Sequence, residues 1–403
     1  MKVLFLSSWF PYPPDNGSRI RVLNLIKQLS REHDIALLSF SRDGEVAEER
    51  LRVMQRYCST VRSVPLVPFR SDSFRSILGL FSSYPRYYVD TYSQQMQRLV
   101  EQTGEAQDFS VVIASEFDTA LYAARLKGVP RILEDIELAA LQEKYTSQLH
   151  VGRRLRYGLM WWKTKRFTAH LLRQFDGCTV VSQQERANVL EITPDYRHMM
   201  VVPNGVDLDR YRGDFGAPEP STLVFPGALT YSANFDAVEF FLHKIFPLVK
   251  AVRPETILRV TGKTDGVPVD RLPLDEGVIL TGYLDDVRPT VARSRVCVTP
   301  LLSGGGTRLK ILEAMALGTP VVSTRKGAEG LDVTSGEDIL IADGPNEFAD
   351  AILRLLGDET LRARLVANGR KLVQERYGWN RIGRKLNCFL RQVVEWHREA
   401  KPK

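Results

Sequence analysis

The chain opens on Met-Lys-Val-Leu-Phe-Leu-Ser, with an apolar run of the length of one strand, continuous enough to be buried on both faces. Similar stretches recur at 35–40, 63–67, 111–114, 131–133 and 178–182, after a first strand at 3–7. Between the first two, Ile20, Leu23, Leu25, Ile26 and Leu29 keep the three- and four-residue spacing of a helix over 18–30. Strand, helix, strand is a βαβ unit, and its repetition predicts a parallel sheet with helices on both faces.

The alternation breaks at 201–207, Val-Val-Pro-Asn-Gly-Val-Asp, where Pro and Asn-Gly read as a turn-forming linker. It resumes with strands at 222–225, 257–261, 278–281, 296–300 and 320–323 and helices at 236–252, 308–317 and 346–356. Two longer helical segments follow, 361–375 and 379–396. The expected fold class is α/β, with two Rossmann-like doubly wound domains, 1–203 and 204–375, facing across a cleft. The segment 376–403 is expected to form a C-terminal helix crossing back to the first domain. Ligands of such sheets bind beyond the carboxyl ends of the strands, which makes the cleft the expected active site.

Length and composition agree: 403 residues exceed what one core usually serves, and 44% hydrophobic with 26% charged residues excludes a disordered chain. No run reaches the ~18 apolar residues of a membrane span, so any membrane contact is expected to be peripheral. The N-terminal run is too short and too weakly cationic for a signal peptide. Cys58, Cys178, Cys297 and Cys388 lie far apart and read as buried thiols suited to a reducing cytoplasm, not as a zinc or redox site. The formal charge of +7 points to an anionic partner without choosing among nucleic acid, membrane and substrate. The bases form no recognised nucleic-acid reader.

The first βα loop, residues 8–19, contains Pro-Tyr-Pro-Pro-Asp-Asn-Gly17-Ser-Arg19. It is too long and proline-rich for a dinucleotide fingerprint, which argues against NAD. Gly17 and Arg19 start the leading helix, either facing the cleft or forming a capping turn with an exposed Arg.

The most informative run lies at 303–317, where Ser-Gly-Gly-Gly-Thr-Arg-Leu-Lys leads from a strand into a helix. Gly304, Gly305 and Gly306 let a ligand approach the backbone, and the N–H groups from Thr307 onward make an anion site that Arg308 and Lys310 reinforce. A diphosphate suits it. Glu313, one turn further, can accept hydrogen bonds from a ribose diol. The plainer reading is a strand–turn–helix with a solvated charged face.

With the linker, this run resembles glycosyltransferase family 4, the retaining GT-B enzymes. The likeness spans the chain in five markers: the 8–19 loop, Ala-Arg-Leu-Lys-Gly-Val-Pro at 124–130, the 201–207 linker, Gly282-Tyr283-Leu-Asp-Asp, and 304–320. The resemblance implies that Glu313 is the second acid of the family's paired-glutamate motif, in contact with the donor ribose. The first acid belongs eight residues earlier, where this chain has Gly305. The family also places Arg and Lys on the first loop of the second domain, whereas residues 225–236, with Gly227, hold no base. Arg308 and Lys310 are inferred to take over the phosphate. Where a His commonly follows Gly-Val-Pro and the next strand, this chain has Glu134-Asp135-Ile-Glu137. Asp135 and Glu137 could orient acceptor hydroxyls or accept a proton, or form an acidic helix start.

Gly282 and Tyr283 are expected beside the nucleobase, and uridine and guanosine donors both fit. Asp207-Leu-Asp209 mimics a metal-binding D-x-D but lies on the linker, and neither a metal nor a cofactor is expected. The basic, aromatic segment 153–167 suits an anionic membrane surface, and equally a family helix with its aromatics packed inward.

The expected function is transfer of a sugar from a UDP- or GDP-type donor to a hydroxyl of a glycan or lipid-linked saccharide, with retention, in cell-surface polysaccharide or glycolipid synthesis. The expected location is cytoplasmic, at or near the inner face of the membrane. Two other readings stand beside it: a non-catalytic donor- or glycan-binding GT-B subunit of a synthesis complex, and a nucleotide-sugar epimerase.

Overall fold

The computed structural model describes residues 1–42, 44, 46–146 and 150–400. The chain divides into two compact units, Met1–Pro203 together with the residues from Ile382 onward, and Asn204–Arg381.

The first unit is built on seven parallel strands: β1 Lys2–Ser7, β2 Asp34–Ser41, β3 Thr60–Pro65, β4 Val111–Ser115, β5 Arg131–Ile136, β6 Gly177–Val180 and β7 Met199–Val201. Their order is β3-β2-β1-β4-β5-β6-β7. Leu4 of β1 stands opposite Ala36 on one side and Val112 on the other, all essentially without solvent exposure. A central strand covered on both faces needs an unbroken apolar run, which is why the Val-Leu-Phe-Leu stretch lies there. The order reverses between β1 and β4, leaving a crevice at their carboxyl ends.

The second unit repeats the plan with six parallel strands: β8 Glu219–Pro226, β9 Ile257–Thr261, β10 Val278–Gly282, β11 Ser294–Thr299, β12 Val321–Ser323 and β13 Leu340–Ile341. The order β10-β9-β8-β11-β12-β13 reverses between β8 and β11. The last helix, Trp379–Glu399, joins the first unit from Ile382 on. Gly177 of β6 admits it closely: a Cβ there would lie 2.7 Å from a methyl of Val393.

The structure departs from the pattern-based elements at several points. Strands β7 and β13, of 3 and 2 residues, are too short to show a period. The helix expected at 236–252 starts at Ser232 and passes through a π turn, Phe241–Ile245. Pro247 follows at the start of the Phe246–Val252 helix, where its missing N–H forces the ladder to change register. Cys58, Cys178 and Cys297 are buried as expected, and Cys388 is exposed.

Candidate active site

In the second unit the functional side chains gather where the strand order reverses. The loop leaving β8 and the loop leaving β11 lie side by side, and Lys310, on the first turn of the Leu309–Leu317 helix, joins them. Its Nζ donates to Oδ1 of Asn234 at 2.8 Å and stands 4.2 Å from the Phe225 ring centre. Gly227, at φ +152°, makes the room: a Cβ there would lie 2.7 Å from Lys310 Nζ. Asn234 also donates to the Ala228 carbonyl at 2.8 Å, so the β8 loop is shaped around the ammonium. Burial pulls Lys310 down to about 7, helped by the like charge of Arg308 and opposed by Cys297 and Glu313.

Arg308, expected to face a phosphate, is buried and turned inward. Its Nη1 donates to the Gly305 carbonyl at 2.9 Å and its Nη2 to those of Gly304 at 2.7 Å and Lys326 at 3.4 Å. That fork holds the glycine loop's carbonyls inside. Among the described residues, no carbonyl accepts from the N–H groups of Gly304, Gly305 or Gly306. Unpaired N–H groups ahead of a helix start form a concavity for an anion. Gly304 and Gly306 hold φ +99° and +81°, which side chains rarely adopt. Thr307 accepts from Asn204 Nδ2 at 3.0 Å, tying the linker to the loop.

Glu313 lies one turn beyond Lys310, and its Oε1 accepts from the Tyr211 hydroxyl at 2.8 Å. Burial raises its pKa, against the pull of Tyr211 and Lys310. Gly282 ends β10 at φ +69°, and Tyr283 beside it is exposed, with Lys263 Nζ 5.6 Å from its ring centre. The Gly262 N–H donates to the Gly282 carbonyl at 2.9 Å and that of Leu229 to Lys263 at 3.0 Å, so three strand ends form one rim. Asp207 accepts from the Asp209 N–H at 3.3 Å, capping a short 3-10 turn.

In the first unit, the helix Gly17–Leu29 begins at the crevice beside β1. Asn16 caps it by accepting from the Arg19 N–H at 3.0 Å. Arg19 is buried, not exposed, and pairs with Asp15 at 3.0 Å. Arg21, also buried, donates from Nε to Glu134 at 2.8 Å and from Nη2 to the Val202 carbonyl at 2.9 Å. Glu134 further accepts from Ser115 at 2.8 Å. Asp135 follows at φ +64°, and Glu116, at the end of β4, takes φ +63°. Two non-glycine residues in the left-handed region, at neighbouring strand ends, each cost about 1 kcal/mol or more and are held there by the packed sheet. Asp135 is 9% exposed, and its Oδ1 accepts no hydrogen bond among the described residues. Burial and the charge of Asp135 raise Glu116 to about 8. Glu137 is exposed just beyond.

The family models divide the chain as its sheets do. "Glycosyltransferase Family 4" matches residues 15–210, and "Glycosyl transferases group 1" matches 220–358. The chain is a glycosyltransferase of the family 4 type. An uncharacterized 44.6 kDa protein in the cps region of Klebsiella pneumoniae is 19% identical over 94% of this transferase and 97% of its own length. A D-inositol 3-phosphate glycosyltransferase of Arthrobacter is 28% identical over 56% of this chain and 60% of its own. Among solved structures, Anabaena HepE in complex with UDP superposes with a TM-score of 0.67 at 15% identity, covering 97% of this chain and 100% of that one. The transferase therefore has the two-domain, Rossmann-like GT-B fold.

Three residues of the candidate sites carry no family motif. Glu116 was signalled by an acid placed directly after a buried strand. Tyr211 and Asn234 carried no signal, since only folding brings them to Glu313 and Lys310.

Proposed function

We propose that the second unit binds a nucleoside diphosphate sugar and that the enzyme transfers the sugar, with retention, to a hydroxyl of a glycan or lipid-linked saccharide. The observation that carries this is the convergence of Lys310, the Gly304–Gly306 N–H groups and Glu313 on one strand-order reversal. The loop N–H groups and the Lys310 ammonium take the diphosphate, and stabilise the charge that develops as it leaves. Arg308 acts by holding that loop open. Glu313 receives the ribose and the Gly282–Tyr283 rim lies beside the base.

No metal or cofactor enters this reading, because Lys310 stands over the β8 loop where the family's bases would. The carboxylates of Asp135 and Glu137 receive acceptor hydroxyls. UDP in Anabaena HepE supports a uridine donor by analogy, and the lipopolysaccharide core glycosyltransferase of Rhizobium meliloti, 41% identical over 23% of this chain, supports a cell-surface acceptor. A thermal-shift screen against uridine and guanosine diphosphate sugars tests the donor assignment. Stabilisation by one base class is expected, and none by either would defeat it.

A further inference from the structure

The helix Phe74–Phe81 of the first unit is inside out. Its buried residues are Ser76 and Gly79. Phe74 and Phe81 are 75% and 87% exposed, and Ile77, Leu78 and Leu80 are exposed with them. Small residues face inward because the helix lies tight on its neighbour: a Cβ on Gly79 would be 2.8 Å from the Arg86 Cα, and Ser76 accepts from Arg86 Nη2 at 2.7 Å. A helix in water turns its large apolar residues toward a core. Five such residues on one exposed helix mark a surface that something apolar covers.

The helix Val151–Leu172 carries a second stripe of the same kind. Val151, Leu155, Leu159 and Trp162 recur at helical spacing and are all exposed. Its charged residues other than histidine are all bases: Arg153, Arg154, Arg156, Lys163, Lys165 and Arg166, with no acid among them. The two helices are joined at Lys163, whose buried ammonium donates to the carbonyls of Gly79 at 3.1 Å and Leu80 at 2.6 Å. Arg75 of the first helix also lines a cavity of about 460 Å³ with Arg125, His170, Tyr84, Tyr88 and Tyr92.

We propose that these two helices dock the protein on an anionic bilayer, Phe74, Ile77, Leu78 and Phe81 entering the acyl boundary while the exposed bases Arg153, Arg154, Arg156 and Arg166 meet lipid phosphates. The cavity, aromatic inside and basic at Arg75 and Arg125, receives one lipid headgroup. Apolar insertion beside acid-free basic charge is the combination that favours an anionic lipid surface over a second protein copy, which would have to oppose its own bases. The proposal is independent of the transferase chemistry.

Flotation of the full chain with vesicles of phosphatidylglycerol and phosphatidylcholine in equal parts, against phosphatidylcholine alone, tests it. Binding is expected on the anionic vesicles only, weakened by salt. The double variant Phe74→Glu with Phe81→Glu should lose about tenfold or more of that binding, with an unchanged circular dichroism spectrum, since both side chains are exposed. Arg153→Glu with Arg156→Glu provides a second, apolar-neutral variant, expected to lose anionic selectivity. Equal binding to both vesicle types, undiminished binding by either folded variant, or a concentration-dependent dimer that the Phe variants abolish would each overturn the proposal.

Discussion

Lys310 donates to Oδ1 of Asn234 across 2.8 Å and so places a cation against the bare backbone of Gly227, on a loop that has no base of its own. With burial holding Lys310 near 7, the free protein carries only part of that charge at neutral pH, and a bound diphosphate favours the protonated form. Binding of UDP above pH 7 should therefore take up a proton. Calorimetry in two buffers of different ionisation heat reads this directly: the apparent enthalpies should differ for the wild type and converge for Lys310→Met. Identical enthalpies for the wild type would refute the assignment.

Gly227→Ala should damage the same site from the backbone side. A side chain is strained at its φ of +152°, and a methyl there would push Lys310 Nζ, 2.7 Å away, out of its place. We expect a loss of about 1–3 kcal/mol in urea unfolding together with weakened UDP binding. A variant as stable and as tight as the wild type would show that the approach is relaxed in solution.

Glu313, held by Tyr211 at 2.8 Å, is assigned to the ribose. The wild type should bind UDP more tightly than its 2′- or 3′-deoxy analogue, and Glu313→Ala should bind all three alike. Discrimination that survives the substitution would place the ribose elsewhere.

The alternation of strands and helices, the glycine loop and the position of Glu313 were legible in the chain because each depends on local pattern: an apolar run, a backbone that needs glycine, an acid at fixed helical spacing. What a side chain does once folded was less legible. Arg308 and Lys310 are two residues apart on one motif, yet Arg308 turns inward onto three carbonyls while Lys310 reaches the β8 loop. Tertiary partners decide that difference. Arg21 is a sharper case: it sits among buried apolar residues of its helix, and its guanidinium is met by Glu134 and the Val202 carbonyl, both far along the chain.

That pair carries its own prediction. Removing Arg21 alone, as Arg21→Leu, leaves the Glu134 carboxylate buried without its cation and should cost about 3–5 kcal/mol. The double variant Arg21→Leu with Glu134→Leu should recover a substantial part. Denaturation of both reads the coupling, and simple additivity would contradict it.

Glu116 ties stability to pH. Its ordinary value of 4.5 is raised to about 8 in the folded chain, by burial first and by Asp135 and Asp118 next. The folded state thus keeps a proton that the unfolded state sheds, so this contribution is full below pH 4.5 and is lost as pH rises through 8. Unfolding free energies at pH 5.5 and pH 8.5 should fall more steeply for the wild type than for Glu116→Gln. A parallel fall in both would remove Glu116 as the source.

In the proposed function, the chain cleaves a nucleoside diphosphate sugar through the cradle around Lys310. The direct measurement is nucleoside diphosphate release from a panel of UDP- and GDP-sugars, with glycan and lipid-linked acceptors added, by the wild type and by Lys310→Met. Release from at least one donor, accelerated by an acceptor and reduced about a hundredfold in the folded variant, is the predicted result. No release from any donor, or release undiminished in Lys310→Met, would overturn that function.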